Sequence, residues 1–97
     1  MPTMTMVGAN FRPQDARDAV RSLSLSDGEL LTLEPEPNNQ YDMFAVKVLL
    51  DGLHLGYLPK GPNAEIFDRL VDGGEASIEI LSFESQLKPV LSITFDD

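Results

Sequence analysis

The chain is predicted to fold as a mainly β domain of the α+β class, with about six short strands and two short helices forming a small, partly closed barrel. Three observations lead there. Short apolar runs are separated by turn residues rather than by long crossovers. Asp51-Gly52 joins two such runs with two residues only, the strongest short-range hairpin signal. Two further stretches, around 13–23 and 64–71, carry apolar residues at helical spacing instead. Short antiparallel strands hide their edges by closing on themselves, which favours a barrel over an open sheet.

Each element follows in chain order. Residues 3–9 alternate threonine with methionine and valine and predict a first strand, ended by Gly8 and Asn10. Pro13 with Asp15 suits a helix start, and Ala16, Ala19, Val20 and Leu23 lie on one helical face, with Arg17 and Arg21 on another. Ser26-Asp27-Gly28 is turn chemistry, so residues 29–33 are expected to be a short strand with Leu30, Leu31 and Leu33 available to the core. Pro35 and Pro37 remove two donors and fix two φ angles, which should stop that strand and leave residues 34–37 extended and stiff, outside the sheet interior. Strands are expected at 44–50 and 53–58, with Gly56 permitting close approach of another backbone. Ile66, Phe67, Leu70 and Val71 form a helix stripe that Asp72-Gly73-Gly74 terminates. Strands at 76–83 and 90–95, joined by a loop at 84–89, close the fold.

Ninety-seven residues make one domain, residues 1–97, and leave no room for a second catalytic lobe. The chain has no cysteine and a single histidine, so neither a disulfide framework nor a zinc site is expected. The beginning lacks a basic n-region and a long apolar stretch, and no run approaches the length of a membrane span, so the expected setting is soluble and cytoplasmic. Sixteen acids against seven bases give a formal charge of -9, which repels phosphates at long range. Glu34, Glu36 and the Asp96-Asp97 pair are taken as solvated surface charge, because hard cations need several converging oxygens. No Gly-rich phosphate loop and no nucleophile–base pair is visible, so a binding module rather than an enzyme is expected, with no cofactor.

The run NNQYDMFAVKVLLDGLHLGYLPK, residues 38–60, carries a polar loop, an adjacent aromatic and carboxylate, a hairpin, and then Gly-aromatic-Leu-Pro-basic. In that order the elements resemble the central signature of the HIRAN domain, and the resemblance extends from Val7-Gly8 to Phe95. It implies a barrel of OB/SH3-like type that grips the 3' end of single-stranded DNA by stacking terminal bases and bonding the terminal hydroxyl. Carried onto this chain, it makes Tyr41 a stacking platform, Asp42 the acceptor for the 3'-hydroxyl, Lys60 a phosphate partner and Tyr57 a groove-lining residue, with Asn39 beside them. The basic-aromatic pair that the family has near its first strand reads Asn10-Phe11-Arg12 here. Gln40 and Phe44 depart from the family pattern, and Leu87 replaces an aromatic in the last loop.

Competing roles remain open at each position. Tyr41 either caps the barrel or stacks a base. Asp42 either holds an Asx-turn or accepts a chain end. Lys60 is either a solvated lysine or part of a patch with Arg12, Arg17 and Arg21, and convergence decides which. Phe11 and Phe44 flank the proposed groove, whereas the other phenylalanines are core. His54 should face away from Leu53 and Leu55, toward solvent or a cross-strand neighbour. The leading function is single-stranded DNA or 3'-end binding. The alternative is an acidic protein-interaction module, even a DNA mimic of a phage or mobile element, that has kept the barrel and binds a basic protein partner.

Overall fold

The computed structural model describes residues 2–96. Asp97, counted above among the scattered acids, lies outside them. The described chain runs β1 (Thr3–Thr5), a 3-10 turn (Ala9–Phe11), α1 (Gln14–Arg21), a second 3-10 turn (Leu25–Leu30), β2 (Leu31–Pro35), β3 (Val46–Leu50), β4 (Leu53–Tyr57), α2 (Asn63–Val71), β5 (Glu75–Ser85) and β6 (Lys88–Asp96). The fold is mainly β with two short helices, as expected.

It is not a closed barrel. The strands form two three-stranded antiparallel sheets, ordered β1-β6-β5 and β2-β3-β4. The expected first strand is cut short because the chain changes partners. Met6 donates its N–H to the Pro89 carbonyl of β6, and Val7 then exchanges two backbone bonds with Tyr57 of β4, at 2.8 and 2.9 Å. Among the described residues one isolated pair therefore bridges the sheets, where a barrel would need a full ladder. On the opposite side, the second 3-10 turn packs between β2 and β5. Gly28 presses on the backbone of β5, where an added Cβ would come within 2.7 Å of the Ile78 carbonyl oxygen.

That turn corrects the strand expected at residues 29–33, where Glu29 and Leu30 belong to the 3-10 turn and pairing begins at Leu31. Asp27 explains the difference. Its Oδ2 accepts from the Ser24 backbone N–H at 2.8 Å and the Ser24 hydroxyl at 3.1 Å, and this reciprocal box winds the following residues. Pro35 does not stop β2 as expected but is its last paired residue, opposite Val46. β2 is an edge strand, where a missing N–H costs no ladder bond.

The hairpin forms as expected. Asp51 (φ 50°) and Gly52 (φ 83°) both adopt positive φ, the type I′ geometry that matches strand twist. α1 buries Ala16 and Val20. α2 buries Ile66 and Phe67 and ends in a Schellman motif, with Gly73 N–H on the Leu70 carbonyl and Gly74 N–H on the Arg69 carbonyl. Val71, expected in the apolar stripe, is exposed instead, because its position in the last turn rotates past the core. The last hairpin is longer than expected, with β5 and β6 leaving only a tight turn at Gln86-Leu87. Met4, Met6, Val46, Val48, Leu55, Ile66, Leu91 and Ile93 are at the centre of one core shared by both sheets. Among the described residues no helix is long and apolar enough to cross a membrane.

Gly56 lets the backbone of Val7 approach β4 closely. An added Cβ would stand 2.8 Å from the Val7 carbonyl oxygen, and a bulge opposite Val48-Leu49 lies beside it. Strand propensity alone predicts that Gly56→Ala stabilises by roughly 0.5–1 kcal/mol. The packing predicts the opposite sign, a loss of about 1–3 kcal/mol as the Val7–Tyr57 bridge is forced apart. A urea midpoint that falls supports the packing account, and one that rises contradicts it.

Candidate functional site

The loop between β2 and β3 is closed and internally bonded. Glu36 N–H bonds the Ala45 carbonyl at 2.8 Å, so the two ends are tied one residue beyond the ladder. Within it, Asn39 is the organiser. Its Oδ1 accepts from the backbone N–H groups of Tyr41 (2.8 Å) and Asp42 (3.0 Å), and its Nδ2 donates to Glu36 Oε1 at 2.7 Å. Asp42 Oδ1 accepts from the Phe44 N–H at 2.9 Å, an Asx-turn, while its Oδ2 accepts from Asn63 Nδ2 at 2.8 Å. Asn63 is 1% exposed. It also donates to the Phe44 carbonyl at 2.9 Å and accepts from Gly61 N–H at 3.1 Å, which locks the loop to the start of α2.

Glu36 is the second anchor. Its Oε1 also accepts from the Tyr57 hydroxyl at 3.0 Å, and Lys47 Nζ lies 3.6 Å from its Oε2 and 3.5 Å from Glu34 Oε1. The Asn39 hydrogen bond, with help from Tyr57 and Lys47, holds the Glu36 carboxyl below its ordinary pKa against the opposing effect of burial. Burial and the Glu36 bond together raise the Tyr57 phenol. His54 makes its ring contacts along its own strand. It is half-buried, its Nε2 is 3.0 Å from the Gly56 carbonyl oxygen, and its ring meets Tyr57 edge-to-face at 4.7 Å. Burial, reinforced by Arg12, depresses its pKa. Arg12 Nε in turn donates to the His54 carbonyl at 3.1 Å.

The loop borders an open groove of about 710 Å³ lined by Gly8, Phe11, Arg12, Tyr57 and Leu58 and, from the loop itself, by Glu36, residues 38–42 and Ala45. Tyr41 is 81% exposed and Phe11 85% exposed, so two aromatic faces are presented at the rim. Five of the seven residues singled out from the sequence meet here: Phe11, Asn39, Tyr41, Asp42 and Tyr57. Asn10 lies instead in an adjoining groove that shares Gly8 and Phe11, and Lys60 lines neither. Arg12 enters the first groove and Arg21 the second, so the cations do not gather around Lys60. Phe44 does not flank the groove. It packs edge-to-face on Phe67 at 5.7 Å as part of the core.

The family model for the HIRAN domain matches residues 5–94. The chain belongs to the HIRAN family. HIRAN domains are in general DNA-binding modules. A protein from Lactobacillus plantarum superposes with a TM-score of 0.82 at 23% identity, over 96% of this chain and 89% of that one. The HIRAN domain of human HLTF superposes with a TM-score of 0.76 at 20% identity, over 97% of this chain and 73% of that one. No curated protein matches the sequence. At these identities the two structures share the HIRAN fold with this chain, and the chemistry of the groove rests on its own residues.

Three of those residues escaped sequence reasoning. Glu36 looked like surface charge, although its alternation with Glu34 opposite a strand carrying Lys47 was a usable signal. Lys47 itself and the buried Asn63 carried no signal in composition. Among the described residues no group of three or more His, Asp or Glu is arranged to hold a metal ion.

The downward shift of Glu36 fixes a pH dependence. Its contribution to stability is complete above its unfolded-state pKa and is lost as pH falls through the lower folded-state value. Wild-type denaturation midpoints should therefore drop on acidification from about pH 6 towards pH 3, and Glu36→Gln should flatten part of that drop while lowering the midpoint at neutral pH. Parallel curves for the two proteins would contradict the anchoring role.

Proposed function

We propose that the Tyr41–Phe11 groove binds single-stranded DNA at a free 3' end, without catalysing a reaction of its own. The observation that carries this reading is the pair of exposed aromatic rings beside a bonded, pre-ordered loop. Ring exposure is what stacking requires, because base–aromatic stacking is sequence-tolerant and contributes about 1–3 kcal/mol per base. Pre-ordering matters because residues already fixed in the free protein lose little entropy on binding.

Asp42 is the acceptor for the terminal hydroxyl in this reading. Both its oxygens already take one hydrogen bond, yet a carboxylate offers about four acceptor sites, so an oriented oxygen keeps room for one more donor. A terminal phosphate would meet that carboxylate with like charge and be disfavoured. Arg12 supplies local positive charge that the net charge of -9 otherwise lacks. HLTF's HIRAN domain and this chain share the fold, and the family's general DNA binding supports the assignment.

Asp42→Ala is a poor probe, since it also releases the Phe44 amide and Asn63. Tyr41→Ala removes only an exposed ring. It is expected to raise the Kd for a 3'-hydroxyl oligonucleotide by a factor of about 5 to 150, the equivalent of one stacked base. Fluorescence anisotropy checks this, with the 3'-phosphate oligonucleotide binding the wild-type protein more weakly than the hydroxyl form. Equal affinity for both ends, or an unaffected Tyr41→Ala variant, would overturn the assignment. No binding at all would leave the net charge as the leading clue, and with it an acidic surface that recognises a basic protein.

A further inference from the structure

The first groove does not end at Phe11. A second groove of about 740 Å³ begins on the other side of that ring, sharing Gly8 and Phe11 and continuing along Asn10, Arg21, Gln86, Leu87 and Lys88. Its composition differs from the first. It holds two cations, Arg21 from the end of α1 and Lys88 from the start of β6, and no carboxylate lines it. In a chain with seven bases and sixteen acids, two bases and no acid along one groove is a local reversal of the overall charge. Lys88 is exposed, and Arg21 is paired with Asp18 at 3.1 Å, with the two side chains 42% and 59% exposed. A solvent-exposed pair of this kind is weakly held, so the guanidinium is free to turn to a better anion.

We infer that the second groove is a phosphate track for the strand leaving the end-binding groove: the nucleotides on the 5' side of the bound terminus cross Phe11, and Arg21 and Lys88 take their phosphates. This rests on the end-binding reading and extends it, fixing the direction of the strand over the surface and the minimum length of ligand that the domain engages. The two grooves meet at the exposed ring of Phe11, and a single strand is flexible enough to pass over it. Leu87 and the backbone of Gly8-Ala9 supply the apolar wall along which a base can lie.

The test compares a 3'-hydroxyl dinucleotide with a 3'-hydroxyl hexanucleotide of the same terminal sequence, in wild type and in the Arg21→Gln/Lys88→Gln double variant. Both substitutions are at the surface, and circular dichroism verifies the fold. Each phosphate neutralised on a single strand contributes about 0.7 to the slope of log affinity against log salt. The double variant should thus lower the hexanucleotide slope by about 1.4, so that between 50 and 200 mM salt wild-type binding falls about sevenfold more than variant binding. Wild type should prefer the hexanucleotide, and the variant should lose that preference. Equal slopes in the two proteins, or equal wild-type affinity for both lengths, would overturn the track while leaving end binding in place. Failure of both lengths to bind wild type would overturn the end-binding reading itself, and the track with it.

Discussion

Tyr57 carries the backbone bridge between the two sheets and the anchor of the β2–β3 loop. Its backbone exchanges two hydrogen bonds with Val7, the one pairing between the sheets among the described residues, and its hydroxyl bonds Glu36, which holds the β2–β3 loop. The same residue thus fixes the relative position of the sheets and the position of the loop. Gly56 makes this possible by having no Cβ where the Val7 carbonyl approaches, and His54 buttresses the ring edge-to-face. A groove formed between an N-terminal segment and a distant loop needs such a common point, because its walls otherwise belong to separate sheets.

From Tyr57 outward the loop is built by polar bonds rather than by apolar burial. Glu36, Asn39, Asp42 and Asn63 form two anchored clusters, one on β4 through Tyr57 and the other on α2 through Asn63. Each polar group is satisfied by another, the condition under which a partly buried network stabilises a single arrangement. The consequence is a division of labour. Side chains that are bonded inward hold the loop, while the Tyr41 and Phe11 rings remain exposed at the rim. Removing an anchor should loosen the groove as a whole, whereas removing a rim ring should delete one contact.

Local chemistry was legible in the sequence, and long-range chemistry was not. Asp51-Gly52 specified its hairpin because a type I′ turn depends only on those two residues. The α2 terminus was equally local, and so was the loop with its exposed aromatic. The division into two sheets was hidden because it follows from Val7 leaving β6 for β4, a choice made by residues fifty positions apart in the chain. The 3-10 turn at Leu25–Leu30 was hidden because Leu30 and Leu31 look alike, and a bond between Ser24 and Asp27 decides which of them pairs. Glu36 passed for surface charge because its partners, Asn39, Lys47 and Tyr57, converge only in three dimensions.

In the function proposed above, the pre-ordered loop and the Phe11 ridge form one receptor for the end of a nucleic acid strand. Amide chemical-shift mapping of the isotope-labelled protein, titrated with a short 3'-hydroxyl single strand, tests it most directly. Shifts are expected at Gly8, Phe11, Arg12 and residues 38–42, with the separate groove lined by Arg69 and Phe95 unmoved. Shifts centred on that separate groove, with residues 38–42 silent, would contradict end binding at the loop.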